Sequence, residues 1–466
     1  MTKGNIKKNI FFLNSVKEFD IISKNILHDF LFYPLNFETY IFLKEKKKLN
    51  IIEPSSNNES LKKSIINLKS IEKQILNNDN FKKKFNEIEK ETFLNILHVS
   101  LSSCLEFYFS IKEISKINKF YMVNNNIIEE YRDFDDIFKK LSCHNINYIS
   151  ELHNLNDIKF NYFSFLSRWF YILILKLTKK EKIFWVSTDK YGFDTIIDYI
   201  KKNYKNTSIY KIGLNNLSSL KSNFNNFLIN KVSKIYDIHI ISSNYYVKKD
   251  KINKIFDDVN DSILNLIKDN LSVLLKKGMT NSMAKYEFSL TALKISKPLK
   301  LFFHHLRWYD NLALASAAKT LNIPVVLISH GSTPLNSDNF VNYVLTKHAN
   351  GMSFSKFASQ TVSFSPISEK IIQKNIGNSK IIKLNFLQIK NKKYFTKKIE
   401  NKKIILLHAG TYKNYSPRLW IYESVYEYIK GLKTLINIVK NYENVLLIIR
   451  VRGDFYSSQR DIIKQL

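Results

Sequence analysis

The chain has 466 residues, 45% of them hydrophobic, and a formal charge of +31. Its length points to two or three domains, and an apolar share that includes 34 Phe excludes wholesale disorder. Only seven of the 72 basic residues are arginine, so the charge reads as lysine on solvated faces, with a weak general attraction to polyanions and anionic membrane.

Residues 9–13 (NIFFL) read as a first strand, followed by an amphipathic stretch over 16–27. A second strand is expected at 49–52, closed by Glu53-Pro54, and residues 55–117 then show helical periodicity. Strands follow at 120–123, 183–187 and 207–212, with helices at 161–177 and 193–204; Thr188-Asp189 forms an N-cap pair for the latter. Residues 217–296 read as a second helical region. Beyond Pro298 a clear alternation returns: strand 301–304, an Ala-rich helix 310–321 and strand 324–329. A crossing segment follows at 380–393, then strand 403–407, helix 419–439 and strand 445–451. That rhythm predicts an α/β fold of doubly wound parallel sheets.

Cys104 and Cys143 are the two cysteines, too few for a disulfide framework and in keeping with a reducing compartment. Cys143-His144 with His153 matches no usual zinc spacing. The most apolar run, 169–177, is nine residues long and broken by Lys176, against the roughly 20 needed to span a bilayer. The expectation is a cytoplasmic protein, at most peripheral to the inner face of a membrane.

Only ten glycines occur, and Gly331, Gly410 and Gly453 each directly follow an apolar strand run: VVLISHG, IILLHAG and LLIIRVRG. Glycine there lets the backbone turn sharply beside a ligand, or simply ends a strand. Arginine retained among so many lysines suggests a need for a planar fork, which suits phosphate or carboxylate. Arg450 and Arg452 lie two apart, on one face of a strand end; surface ion pairs are the plainer alternative. Histidines mark the same places: His304-His305, His330 and His408 all sit at strand ends. Ligands of open α/β sheets bind just beyond those ends.

The run IPVVLISHG after an Ala-rich helix resembles the end of the N-terminal domain of bacterial surface-polysaccharide glycosyltransferases of GT-B architecture. HAGTYKNYSPRLWIYESVYEYIKGL, closing on LLIIRVR, is similar to the opening of their donor-binding domain. The resemblance spans residues 301–452 and implies two Rossmann-like domains facing across a cleft, with large helical insertions in the first. The first would cover residues 1–386, with insertions near 55–117 and 217–296. A linker would follow at 387–401, and an apparently incomplete second domain at 402–466. It further implies a nucleotide-sugar donor, a glycan or lipid-linked glycan acceptor, no metal and no cofactor.

On that resemblance Gly410 and Thr411 lie by the donor phosphate with His408 beside them, and Arg450 and Arg452 neutralise the departing nucleotide. Gly331, Ser332 and Thr333 line the cleft from the opposite side. The candidate base is His330, with Asp310 and His304 as the other candidates. Asp310 also stands where a helix N-cap belongs, and His304 could pack beneath the loop. A glycerol- or ribitol-phosphate polymer phosphotransferase would use the same strand-end His-Gly logic. A nucleic-acid-binding protein finds no zinc spacing, RNA-binding aromatic motif or Arg-rich stripe to support it.

Overall fold

A computed structural model describes residues 8–23, 30–35, 37–46, 49–52, 58–112, 117–152, 182–187, 202–204, 207–213, 232–236, 248–307, 309–328, 338–363, 366–375, 380–383, 404–408 and 425–449. The first unit runs β1 (Lys8–Leu13), α1 (Val16–Ser23), β2 (Phe30–Pro34), α2 (Phe37–Glu45), β3 (Asn50–Ile51), α3 (Asn58–Asn77), α4 (Asp79–Lys84), α5 (Glu87–Lys112), β4 (Ile117–Asn124), β5 (Ile127–Tyr131) and α6 (Phe134–Leu152). Its five strands lie in the order β3-β2-β1-β4-β5, parallel except for the β4–β5 hairpin. Asn125 and Asn126 make that hairpin turn at φ 49° and 63°, the left-handed conformation that asparagine tolerates. In β1 the side chains alternate: Ile10 and Phe12 pack toward the α5 side, Phe11 and Leu13 toward α1 and α2. Helices thus cover both faces of the sheet.

The second unit runs β6 (Lys182–Ser187), β7 (Thr207–Gly213), β8 (Val232–Tyr236), α7 (Lys249–Asp257), α8 (Ser262–Ser296), β9 (Lys300–Phe303), α9 (Tyr309–Thr320), β10 (Val325–Ile328), α10 (Asn339–Ala349), β11 (Gln360–Ser363), α11 (Pro366–Asn375) and β12 (Lys380–Lys383). All seven strands are parallel, in the order β12-β11-β10-β9-β6-β7-β8. β13 (Ile404–His408), α12 (Val425–Val439) and β14 (Val445–Ile449) form a β-α-β piece whose two strands pair in parallel.

The α/β class with Rossmann-like parallel sheets is as the sequence predicts. The partition of the strands differs. Those before residue 386 form two sheets, not the one sheet expected of a single N-terminal domain. β6–β12 complete a doubly wound order by themselves, with β6 and β9 at its centre, so β1–β5 close separately. The two helical stretches read as insertions are the layer that joins the sheets. One continuous apolar core holds β1, β4, α3, α5, α6, α7 and the first half of α8, while Ala292 and Leu293 near the end of α8 pack with β9 and α9.

Local chemistry sets the bounds of these helices. Asp261 caps α8, its side chain accepting from Leu264 N at 2.8 Å. Lys297 ends it in the left-handed region, directly before Pro298. Asn78 caps α4 in the same manner, accepting from Phe81 N at 3.1 Å. α5, at 26 residues, is long and apolar enough to cross a membrane by length and composition, but 83% of its most apolar 18-residue stretch is buried inside the protein.

The strands β2, β5, β8 and β11 are missing from the sequence reading. β8 lies inside the stretch 217–296 expected to be helical, and β12 inside the expected crossing segment. All are five residues or shorter, a length at which strand and helix periodicities cannot be told apart. The expected helix 161–177 and linker 387–401 lie outside the described residues.

Candidate functional site

In a doubly wound sheet the strand order reverses at one place, and the crevice there takes the ligand. In the second sheet that place lies between β6 and β9, and in the first between β1 and β4. Ser187 pairs in register with Phe303, and Phe303 with Leu327, so β6 and β9 end level and β10 runs one residue further. His304 and His305 follow β9 directly. Their rings meet edge to face, with centroids 4.3 Å apart and planes at 78°, and both are half-buried.

The segment 304–307 is held from three sides. Asn311 Nδ2 donates to His305 O at 3.0 Å, and Asn95 Nδ2 of α5 donates to Arg307 O at 3.1 Å. Leu306 N donates to Gly351 O. Gly351 sits at φ +76°, and a Cβ there would run into the backbone of Leu306 and Arg307, so only glycine fits. Arg307 is buried, 5% exposed, and its charge acts on His98 of α5.

A polar stripe on α5 makes this seam. Glu87 and Glu91 both meet Lys356, at 2.9 and 3.2 Å, and Glu91 accepts from Asn350 Nδ2 at 2.5 Å. Asn95 reaches Arg307, and His98 Nδ1 lies 2.8 Å from Glu72 of α3. Steps of four, four and three put these residues on one helix face. Glu72 also accepts from Tyr343 and, at 2.8 Å, from Lys347, both on α10.

Burial alone would raise the Glu72 carboxyl, but the hydrogen bond and charge of His98, with Lys347, outweigh it and hold it at about 2. For His98 burial is the largest influence and lowers its pKa, beyond what Glu72 restores; Arg307 and Lys347 push the same way as burial. A neutral imidazole donating from Nδ1 fits a carboxylate, which only accepts. Since the folded imidazole titrates below 6.5, stability is expected to fall as the pH drops past that value. The unfolded chain then takes up a proton that the folded one refuses, at up to about 1.4 kcal/mol per pH unit. Glu72 adds a second loss as the pH falls from about 4.5 toward 2. Urea midpoints at pH 7.5 and 5.5 check this: His98→Gln should narrow the difference, and an equal drop in both proteins would refute it.

Of the sequence-predicted residues, His304 stands at the crevice as described. Asp310 lies within the first turn of α9, which begins at Tyr309, so it is not the N-cap. His330, Gly331, Ser332 and Thr333 follow β10 in sequence but lie outside the described residues, as do Gly410, Thr411, Arg450, Arg452 and Gly453. His408 is the last residue of β13, in register with Ile449, so the segments carrying Gly410 and Arg450 leave adjacent parallel strands. Among the described residues β13 and β14 pair only with each other, which puts His408 and the strand before His330 in different sheets.

Sequence reasoning did not select Gly351, Arg307, His98 or Glu72. The scarcity of glycine and arginine that singled out Gly331 and Arg450 would have flagged the first two.

No family model matches this chain. No curated protein matches it either. Among solved structures it is similar to UDP-GlcNAc 2-epimerase from Neisseria meningitidis bound to UDP-GlcNAc, at 14% identity over 61% of this chain and 68% of that one, with a TM-score of 0.32. A second UDP-N-acetylglucosamine 2-epimerase has 11% identity over 62% of this chain and 66% of that one, with a TM-score of 0.30. The chain thus spans about two thirds of the length of each. The fold assignment rests on the strand order itself.

Proposed function

We propose that the chain is a glycosyltransferase-type enzyme, moving a sugar from a nucleotide-activated donor to a growing surface glycan. The observation that carries this reading is the reversal of strand order between β6 and β9, where ligands of such sheets bind, with His304 and His305 immediately after β9. On this reading His330 is the base for the acceptor hydroxyl, with His304 and Asp310 beside it, and Gly331, Ser332 and Thr333 line the cleft. His408, Gly410, Thr411, Arg450 and Arg452 hold the donor phosphates. The parallel pairing of β13 with β14 supports that grouping, since both strands end at one edge.

Calorimetry on the full chain with UDP-GlcNAc and other nucleotide sugars tests the reading. A nucleotide sugar should bind, and Arg450→Lys should weaken it by about 1–3 kcal/mol, the range for a charge-assisted hydrogen bond. Unchanged affinity would make Arg450 a structural residue. If no nucleotide sugar binds and the chain is instead retained on nucleic acid with a steep salt dependence, the reading is wrong.

A further inference from the structure

We infer that Glu72 is a positioning residue for the site at the end of β9, acting through a buried network that ties α3 to α10 and, through α5, to residues 304–307. The positioning stands on geometry alone, whereas what the site binds rests on the function proposed above.

Glu72 is 2% exposed and His98 3% exposed. The Glu72 carboxylate gathers donors from two other helices: His98 Nδ1 of α5 on Oε1 at 2.8 Å, and Tyr343 and Lys347 of α10 on Oε2, Lys347 at 2.8 Å. Tyr343 and Lys347 are one turn apart, so a single carboxyl grips one face of α10. α10 follows the 329–338 connection, which carries His330 to Thr333. His98 is in turn one helical turn from Asn95, which holds Arg307 O at 3.1 Å. One buried carboxylate is thus linked to α10 and, through α5, to the segment 304–307 that leaves β9.

The chemistry of the centre explains why it is an acid. Three donors converge on two oxygens that only accept. A glutamine of the same shape would turn an N–H toward one of those donors and leave Lys347 without its counter-charge. A buried apolar residue would strand all three. Ile65 of α3 and Val344 of α10 pack beside the contact, and on the side of the buried His98 water cannot readily replace the lost acceptor.

Amide hydrogen exchange by mass spectrometry, with UDP-GlcNAc calorimetry, on the full-length wild type, Glu72→Gln and Tyr343→Phe tests this. Glu59→Gln serves as a control, because Glu59 lies on the exposed start of α3, paired with Lys63. Glu72→Gln should lose roughly tenfold protection over 339–349 and 304–307, with β1 and α12 unchanged, and should weaken UDP-GlcNAc by a similar factor. Unchanged exchange in those segments overturns the inference. So does a uniform loss across the chain, which would mark Glu72 as a general stability residue. Local loss with unaltered affinity refutes the link to the site. Should Glu72→Gln fail to fold, Tyr343→Phe removes one hydroxyl and must show the same local pattern on a smaller scale. A wild type that binds no nucleotide sugar sinks the proposed function, while the exchange measurements still decide the positioning.

Discussion

Gly351→Ala is expected to destabilise the protein by about 3 kcal/mol, the sum of a left-handed backbone cost and a steric one. A Cβ at this position would stand 2.6 Å from both Cα and N of Arg307 and 2.8 Å from the carbonyl carbon of Leu306. Those atoms are backbone and cannot rotate away. The φ of +76° adds strain even where space could be made. The displaced loop is also the one that Asn95 and Gly351 hold against β9, so nucleotide-sugar affinity should fall with stability. Gly431 supplies the contrast: it lies in α12 with nothing within 4 Å of an added Cβ. Gly431→Ala should therefore stabilise, by about 0.5–1 kcal/mol through helix propensity. Urea unfolding with an unchanged slope measures both, and a Gly351→Ala loss under about 0.5 kcal/mol would show that the close approach is not a constraint.

If His330 is the base, as proposed, His330→Ala is expected to cut turnover by about 10²–10⁴-fold while leaving donor binding nearly unchanged. In sequence the residue comes two positions after β10, the strand that pairs with β9 just before His304. Glycosyl transfer with inversion needs a proton acceptor within hydrogen-bond reach of the acceptor hydroxyl, and imidazole has a pKa suited to that task near neutrality. Steady-state rates with separate calorimetry of the donor distinguish the roles. Loss of donor binding with little change in turnover would make His330 a binding residue instead. His304→Ala and Asp310→Asn in the same assay rank the other candidates.

Much of the architecture was legible in the amino-acid order. NIFFL, IFWVS, PVVLIS, IILLH and VLLII are apolar runs long enough and distinct enough to read as strands, and β1, β6, β10, β13 and β14 lie where they were expected. Strand-end histidines could be named for the same reason: a polar residue after a buried run leaves the sheet at its carboxyl edge. What sequence by itself determined was therefore the class of fold and which polar residues follow its strongest strands, because both follow from local periodicity.

The partners of each strand were decided only by tertiary structure. β1–β5 and β6–β12 carry the same kind of local signal, and nothing in that signal says that they close as two sheets. The stripe Glu87, Glu91, Asn95 and His98 reads in sequence as the solvated face of an amphipathic helix. In the folded chain it meets Lys356, Asn350, Arg307 and Glu72, separated from it by tens to hundreds of positions. Periodicity reports which face of a helix is polar, and burial of that face depends on what the rest of the chain brings against it.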